Sequence, residues 1–423
     1  MQPSINPDLC LRCKGRLWCG LDHCPILTKK RIYYKIKKDL KVVNNPKLEF
    51  TTTTHYAFVG KTNYPRINIG VLGPVIVKEE LISKDYYDNP RLWSNDNLGI
   101  NEILGFRTSL INTRRKRYVK KADSYIRNIQ EITLSERPIS VDLKLRKKPS
   151  FRINMNPFTA PFGPNATLQR LRLTENPRLK KKVEYYYSDY DAKAITAITE
   201  LYKRGLDEVF LSRALSVGAF GIKAERKLVP TRWSITATDD IIAKQIIDEI
   251  RDYKEGNFEA YFGGYLGNYY LILFFPGVWS YELFETYMPK SDWNLTEEVK
   301  FTTDYEGYYG RKNYAENCIG GYYAARIGIV EKLKSKKRQA SVLCIRVITP
   351  EYYMPLGVWV VREAVRKTLS KKPIVFSDEK LMLRYAAVLL KKKFNLDINL
   401  ILKKSKLLKQ RREQKKIKDF FKI

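Results

Sequence analysis

Histidine is almost missing from this chain: His23 and His55 are the two in 423 residues. That scarcity disfavours hydrolytic machinery built on imidazole bases. Long apolar runs are absent as well. The best candidate, Tyr269 to Trp279, is broken by Pro276 and Gly277, well short of the ~18 residues a membrane-spanning helix needs. Met1 to Asn6 show no basic segment leading into an apolar one, so no secretory signal is expected. Acids are in deficit: 45 Asp and Glu against 78 Lys and Arg leave a net charge of +33. An excess that large favours a polyanionic partner. The expectation is a cytoplasmic protein that meets nucleic acid and no membrane.

The six cysteines are not spread like a disulfide framework. Four of them, Cys10, Cys13, Cys19 and Cys24, fall within fifteen residues, while Cys318 and Cys344 stand alone. In a reducing compartment such a cluster points to metal. Four thiolates complete a closed tetrahedral site, so a structural zinc is the expected cofactor. Gly15 and Gly20 can take the positive φ angles that short ligand loops demand. Arg12, Lys14 and Arg16 would stabilise thiolates. His23 adjoins Cys24 and competes with it as fourth ligand, with Cys24 favoured. The plainer alternative is four reduced, buried cysteines.

The chain is too long for one ordinary core, and 44% apolar residues are ample for more than one. His55 to Gly60 and Ile67 to Val71 read as short strands joined by a turn at Asn63 to Pro65. Gly60, Lys61 and Thr62 do not complete a phosphate-binding loop, because the earlier glycine that loop needs is replaced by His55. Arg107, Arg114 to Arg117, Lys120 and Lys121 form either a solvated face or a phosphate-contacting stripe. Lys180 to Lys182 precede Tyr185 to Tyr187 and Tyr190, a pattern that suits either a tyrosine-rich core strand or base stacking. Trp233, Ile235 and Ala237 alternate with Ser234, Thr236 and Thr238, which predicts a half-buried strand. A helix capped by Thr238 would follow, with Asp239 and Asp240 in its first turn. Those two acids are common helix-start residues or, with Arg232, a divalent-metal site. Arg311 with Glu306, and Arg346 with Glu351, could line an anion site, although their spacing is unspecific. No catalytic motif is recognisable.

The pattern further on is mixed: β-rich from Phe258 to Tyr287, helical from Gly320, a buried strand from Ala340, then helical again from Leu356 and Asp378. The expected fold is α+β, a mixed multi-domain protein with a small N-terminal zinc-binding module and a flexible basic C-terminal tail. Its expected parts are residues 1–44, the zinc module and linker; 45–295 and 296–400, two α+β domains; and 401–423, the tail. The tail carries ten Lys or Arg against two acids, a composition that suits either a mobile segment or a loosely docked helix.

Its last ten residues hold Gln414, Ile417, Phe420 and Phe421. At three residues per turn Ile417 and Phe420 stack, with Phe421 beside them as an apolar plug. The spacing resembles the PIP motif, by which repair and replication proteins dock on the sliding clamp, PCNA. Packing of these aromatics back on the protein is the plainer reading.

Several segments together resemble the archaeal Nre family. They are the four cysteines in C-x2-C-x5-C-x4-C spacing, Phe58 to Gly60 with Asn68 and Gly70, and Arg226 to Asp240. Gly320 to Arg326, Gln339 to Leu343 and Pro355 to Trp359 complete them. The resemblance spans nearly the whole chain. It implies a part in DNA repair, a zinc finger at the four cysteines, and clamp contact through Gln414, Ile417, Phe420 and Phe421. It implies no catalytic residues. A metal-dependent DNA-processing enzyme using Asp239 and Asp240, and an RNA-binding protein, are the rival readings.

Overall fold

The computed structural model describes residues 7–21, 24, 26–28, 30–31, 34, 48–74, 76–83, 85–150 and 162–413. It divides into two compact units, one centred on Cys24–Ile242 and the other on Ala243–Ile423. Each is built on a six-stranded sheet, and the mixed α+β class expected from the sequence holds. Among the described residues no helix is long and apolar enough to cross a membrane.

The sheet of the first unit contains β1 (Glu49–Thr54), β2 (Tyr56–Val59), β3 (Arg66–Pro74), β4 (Leu110–Tyr118), β5 (Ile139–Leu145) and β6 (Asn165–Leu173), in the order β1-β5-β6-β4-β3-β2. Period-two burial makes these strands: Ile139, Val141, Leu143 and Leu145 turn inward while the residues between them do not. The helix Ser124–Leu134 begins where the Asp123 carboxylate accepts the Ile126 N–H at 3.1 Å. Its Ile126, Ile129 and Ile132 are buried, and Tyr125 donates to the Ile69 carbonyl at 2.9 Å. β3 and β4 approach so closely that a Cβ on Gly70 would lie 1.9 Å from the Thr113 carbonyl oxygen. Only glycine fits there. The Thr113 hydroxyl bonds both the N–H and the carbonyl of Val71 at that point.

Two loops of this unit are pinned by a charged cluster. Asp85 Oδ1 accepts hydrogen bonds from His55 Nε2 at 2.8 Å and from the Tyr56 hydroxyl. Its Oδ2 accepts from Asn89 at 3.0 Å, and the Arg213 guanidinium lies 4.9 Å from the Tyr56 ring centre. Burial raises the Asp85 pKa, but the His55 hydrogen bond and the Arg213 charge outweigh it and hold the carboxyl down at about 2. Burial and the neighbouring Asp85 push the Tyr56 phenol upward. An acid depressed on folding adds stability above its unfolded pKa and loses it as pH falls through the folded one. Asp85→Asn is therefore expected to cost about 2–3 kcal/mol at neutral pH. The gap to the parent should close as pH falls from about 4 to about 2. Urea unfolding across that range checks this, and a gap that does not change with pH would refute it.

The second unit holds β7 (Phe258–Tyr265), β8 (Asn268–Phe275), β9 (Ser280–Tyr287), β10 (Lys300–Glu306), β11 (Ser341–Ile348) and β12 (Ile374–Phe376), in the order β10-β9-β11-β8-β7-β12. β11 is central, parallel to β9 and antiparallel to β8, and every residue in it is buried. That explains why it reads as a buried strand, since both faces are covered, with Arg346 the one charged residue in it. Leu343, Ile345 and Val347 pack with Met382, Ala386 and Leu390 of the helix Glu379–Phe394, which Asp378 caps through the Leu381 N–H at 2.9 Å. On the other face the helix Ile319–Lys336 comes so near that a Cβ on Gly321 would lie 2.4 Å from Glu285 Oε1. The acidic stretch at 291–304 runs from the β9–β10 connection into β10, and those two strands pair antiparallel with each other.

Three local expectations are corrected. Trp233, Ile235 and Ala237 belong to the helix Thr231–Ile250, not to a strand, and Asp239 and Asp240 lie within it, past its first turn. Its buried side includes Ser234, Thr238, Ile242, Ile246 and Ile250, with Asp239, Ala243 and Ile247 beside them at spacings of three and four. Tyr185 to Tyr187 lie in the helix Lys181–Ser188, and Tyr185 is exposed. The basic tail is folded as far as 413. Leu407 and Leu408 of the helix Lys406–Glu413 are buried in the second unit's core. Buried Glu282 accepts the N–H groups of Lys406 at 3.0 Å and Leu407 at 3.1 Å and the Ser405 hydroxyl. Burial raises the Glu282 pKa, and those hydrogen bonds oppose it.

Candidate nucleic-acid interface

Three segments of the first unit are stitched together at one end of its sheet. The turn between β2 and β3 closes through Gly60 N–H to the Asn68 carbonyl and Arg66 N–H to the Asn63 carbonyl, both at 2.8 Å. Val59 N–H donates to the Thr231 hydroxyl at 3.0 Å, tying the hairpin to the first residue of the helix Thr231–Ile250. Val119 N–H donates to the Pro65 carbonyl at 3.1 Å, and Leu228 N–H to the Val119 carbonyl at 2.8 Å, so the end of β4 joins them. Two of the segments that carried the family resemblance, Phe58 to Gly60 with Asn68 and Gly70, and Arg226 to Asp240, thus meet in space.

The exposed side chains here are aromatic and cationic. Tyr64 and Trp233, 45% and 49% exposed, lie with ring centres 5.6 Å apart and planes tilted by 47°. Arg66 sits 5.9 Å from the ring centre of exposed Tyr118. Lys61, Lys116, Lys120, Lys121 and Arg232 are exposed on the same three segments. Among the described residues none of these five cations has an ion-pair partner. Exposed rings among cations match what a single strand needs: π-faces for bases and positive charges for phosphates.

Other members of the basic run have partners. Arg117 pairs with Asp123 at 2.7 Å, and Arg115 and Arg117 lie 5.2 and 5.1 Å from the Tyr125 ring centre. Arg114 differs: it is half-buried, its Nε has no hydrogen-bond partner among the described residues, and burial lowers its pKa. It stands opposite Thr167 of β6, two residues before Lys116 on the same face of β4. Arg226 is structural, donating to the carbonyls of Gly221, Tyr187 and Asp189 with its charge 4.5 Å from the Tyr190 ring centre.

Cys10 and Cys13 lie in the helix Pro7–Cys13, not in a turn; positive φ at Lys14 and Gly15 ends that helix. Cys13 is buried and its sulfur accepts the Trp18 N–H at 3.3 Å, while Cys10, Cys19 and Cys24 are half-buried. An N–H aimed at sulfur suits a thiolate. Among the described residues, however, no three His, Cys, Asp or Glu side chains converge as a metal-ligand group, neither these four cysteines nor Asp239 with Asp240. His23, Gln414, Ile417, Phe420 and Phe421 lie outside the described residues. In the second unit, Arg311 pairs with Asp304 at 3.0 Å and Glu306 with Arg326 at 2.7 Å. Arg346 is held by Glu285 and Asn268, and Glu351 accepts from Tyr269 at 2.8 Å. These groups neutralise one another within the fold, so no anion site forms from Arg311 or Arg346.

Sequence reasoning missed the Tyr64–Trp233 pair because it placed Trp233 on the inner face of a strand. The signal that could have found it was Pro230 just before the four-residue recurrence that starts at Ser234, a helix-start pattern.

The fold and this surface define a two-sheet α+β protein with a basic, aromatic face. The chain belongs to the archaeal Nre family: the model described as "Archaeal Nre, N-terminal" matches residues 18–294 and "Archaeal Nre, C-terminal" matches residues 306–420. It is 33% identical to "DNA repair protein NreB" of Archaeoglobus fulgidus over 407 residues, 96% of this chain and 98% of that protein. It is 36% identical to "DNA repair protein NreA" of the same organism, over 87% of this chain and 90% of the relative. "DNA repair protein NreA" of Haloferax volcanii is 35% identical over 73% and 75% of the two chains. No solved structure matches.

Proposed function

We propose that this chain is a DNA repair protein that holds single-stranded DNA on the Tyr64–Trp233 surface and is brought to DNA by the sliding clamp. The observation that carries the reading is similarity, over almost the full length of both chains, to a relative named for DNA repair. The cationic, aromatic surface supports it with a chemistry suited to DNA. Clamp recruitment rests on Gln414, Ile417, Phe420 and Phe421, whose spacing fits the PIP motif. A single modest peptide contact of that kind raises the local concentration of a basic body near DNA.

Lys61, Lys116 and Arg232 provide the test. Removing one phosphate-binding cation lowers the slope of log affinity against log salt by about 0.7 on a single strand. The triple alanine variant should therefore lose about 2 from that slope and should fail to restore survival of DNA-damaged cells that lack the parent gene. An unchanged slope with full rescue would overturn the reading.

A structural zinc held by Cys10, Cys13, Cys19 and Cys24 belongs to the same proposal, and its support is their spacing and the N–H donated to the Cys13 sulfur. It would supply folding energy to a segment too short to form a core of its own. Elemental analysis of the purified chain should find about one zinc per molecule. A content below about half would remove zinc from the account.

A further inference from the structure

The helix Glu379–Phe394 of the second unit has two unlike sides. Met382, Ala386 and Leu390 recur every four residues and are buried in that unit's core. Leu381 and Val388, seven residues apart, share another face, where they are 46% and 67% exposed. Tyr385 stands between them at the fourth position and is half-buried. Its ring centre lies 5.4 Å from that of Phe376 in β12. Residues two apart on a strand share a face, so Ile374, 44% exposed, lies on the side of Phe376. Ile374, Phe376, Leu381, Tyr385 and Val388 thus form one apolar strip along strand and helix. β12 is the outermost strand of its sheet, paired with β7, and among the described residues no strand pairs with its other edge. Apolar side chains exposed singly are ordinary, whereas a contiguous run of them rimmed by polar groups marks an interaction surface.

The rim of this strip is cationic. Lys371 and Lys372 precede β12, and Lys380, Arg384, Lys391 and Lys392 are exposed on the helix. Among the described residues none of these six has an ion-pair partner. The acids of the adjoining segments are engaged already. Asp378 caps the helix through the Leu381 N–H, Glu379 pairs with Arg411 at 3.3 Å, and Glu259 of β7 pairs with Lys336.

Charge then selects the occupant. A second copy of this chain would set like charges against each other across a self-complementary contact. The chain's own last ten residues carry four lysines against Asp419 and meet the same repulsion. DNA would engage the cations through its phosphates and leave Leu381 and Val388 without apolar contact. A helix with an apolar stripe flanked by acids satisfies both parts of the surface. Leu381 and Val388 stand two turns apart, about 10.5 Å along the axis, and the anchors of an amphipathic helix recur at the same spacing.

We infer that this strip is a docking site for an acidic amphipathic helix of a partner protein. It uses none of the residues of the single-strand surface or of the C-terminal motif, so it stands or falls independently of both.

The test uses the full chain and a labelled three-heptad peptide with leucine at the a and d positions and glutamate flanking them. Fluorescence anisotropy should show binding that weakens as salt rises. Val388→Glu should weaken it about ten-fold or more, as loss of a central anchor does. Ile195→Glu places the same charge on an exposed apolar residue of a helix in the first unit and should change binding by less than about two-fold. A peptide with serine for leucine should not bind. A peptide with lysine for glutamate should bind the Arg384→Glu, Lys391→Glu variant better than the parent. Equal losses in Val388→Glu and Ile195→Glu, or full binding of the serine peptide, would mean attraction by net charge alone and overturn the site. Failure of the leucine–glutamate peptide to bind would overturn it as well. DNA affinity that falls in Val388→Glu but not in Ile195→Glu would give the surface to nucleic acid instead. A dimer in sedimentation that Val388→Glu dissociates would give it to a second copy. Val388→Ala, which adds no charge, decides the outcome if melting curves show that the glutamate variant does not fold.

Discussion

Replacing Trp233 and Tyr64 together by alanine should weaken single-stranded DNA binding by about 2–4 kcal/mol, and leave the salt dependence of what remains unchanged. Each base–aromatic stack contributes about 1–3 kcal/mol by alanine substitution. The two rings are in contact at 5.6 Å, so their effects should overlap instead of adding in full. No charge is removed, and the salt slope, which counts neutralised phosphates, has no reason to move. That separates this pair from Lys61, Lys116 and Arg232, whose removal lowers the slope. Both rings are about half exposed, so the melting temperature should hold, as it does for most surface substitutions. Fluorescence anisotropy with a labelled single strand at several salt concentrations checks the pair. Unchanged affinity would mean that the strand runs elsewhere. An equal weakening on duplex DNA would mean that the rings act through something other than stacking.

The second large effect belongs to the tail. Phe420→Ala with Phe421→Ala should abolish binding to the sliding clamp in calorimetry, with no change in melting temperature. In the proposed reading those two rings and Ile417 are the whole apolar plug, and a peptide contact concentrated in a few anchors does not survive their removal. The folded body continues to Glu413 through Leu407, Leu408 and the Glu282 cap, so the motif begins one residue past a docked helix. It starts from a fixed point on the second unit, which sets the reach of the tether and hence the effective concentration. Clamp binding that survives the double substitution would remove the motif from the account.

The strong local signals were readable in advance. The mostly apolar stretch from Ala340 to Ile348 reads as a buried strand and became β11, and the helical pattern from Asp378 became the helix Glu379–Phe394. The β2–β3 hairpin was marked by its Asn and Pro turn residues. The segment after Pro230 was misread because two periods coexist in it: Trp233, Ile235 and Ala237 alternate, while Ser234, Thr238, Ile242, Ile246 and Ile250 recur every four. Small hydroxyl residues on the buried side hid the longer period, and burial revealed it. The tail reads as mobile or at most loosely docked because its composition is so basic. Two leucines and a buried glutamate from another part of the chain overrode composition through contacts that no local window contains.

Charge, the α+β class, the family and the spacing of the cysteine and C-terminal motifs all follow from the amino-acid order, because they are local or additive properties. Which cations stay unneutralised does not follow from it. Arg117, Arg311 and Arg346 are paired with acids that folding brings to them, while Lys61, Lys116 and Arg232 have no such partner among the described residues. The meeting of Tyr64 with Trp233 is likewise a product of the folded chain. Hydrogen bonds between elements, such as Val59 of β2 to Thr231 of the helix Thr231–Ile250, bring these residues together, and their partners cannot be read from spacing along the chain.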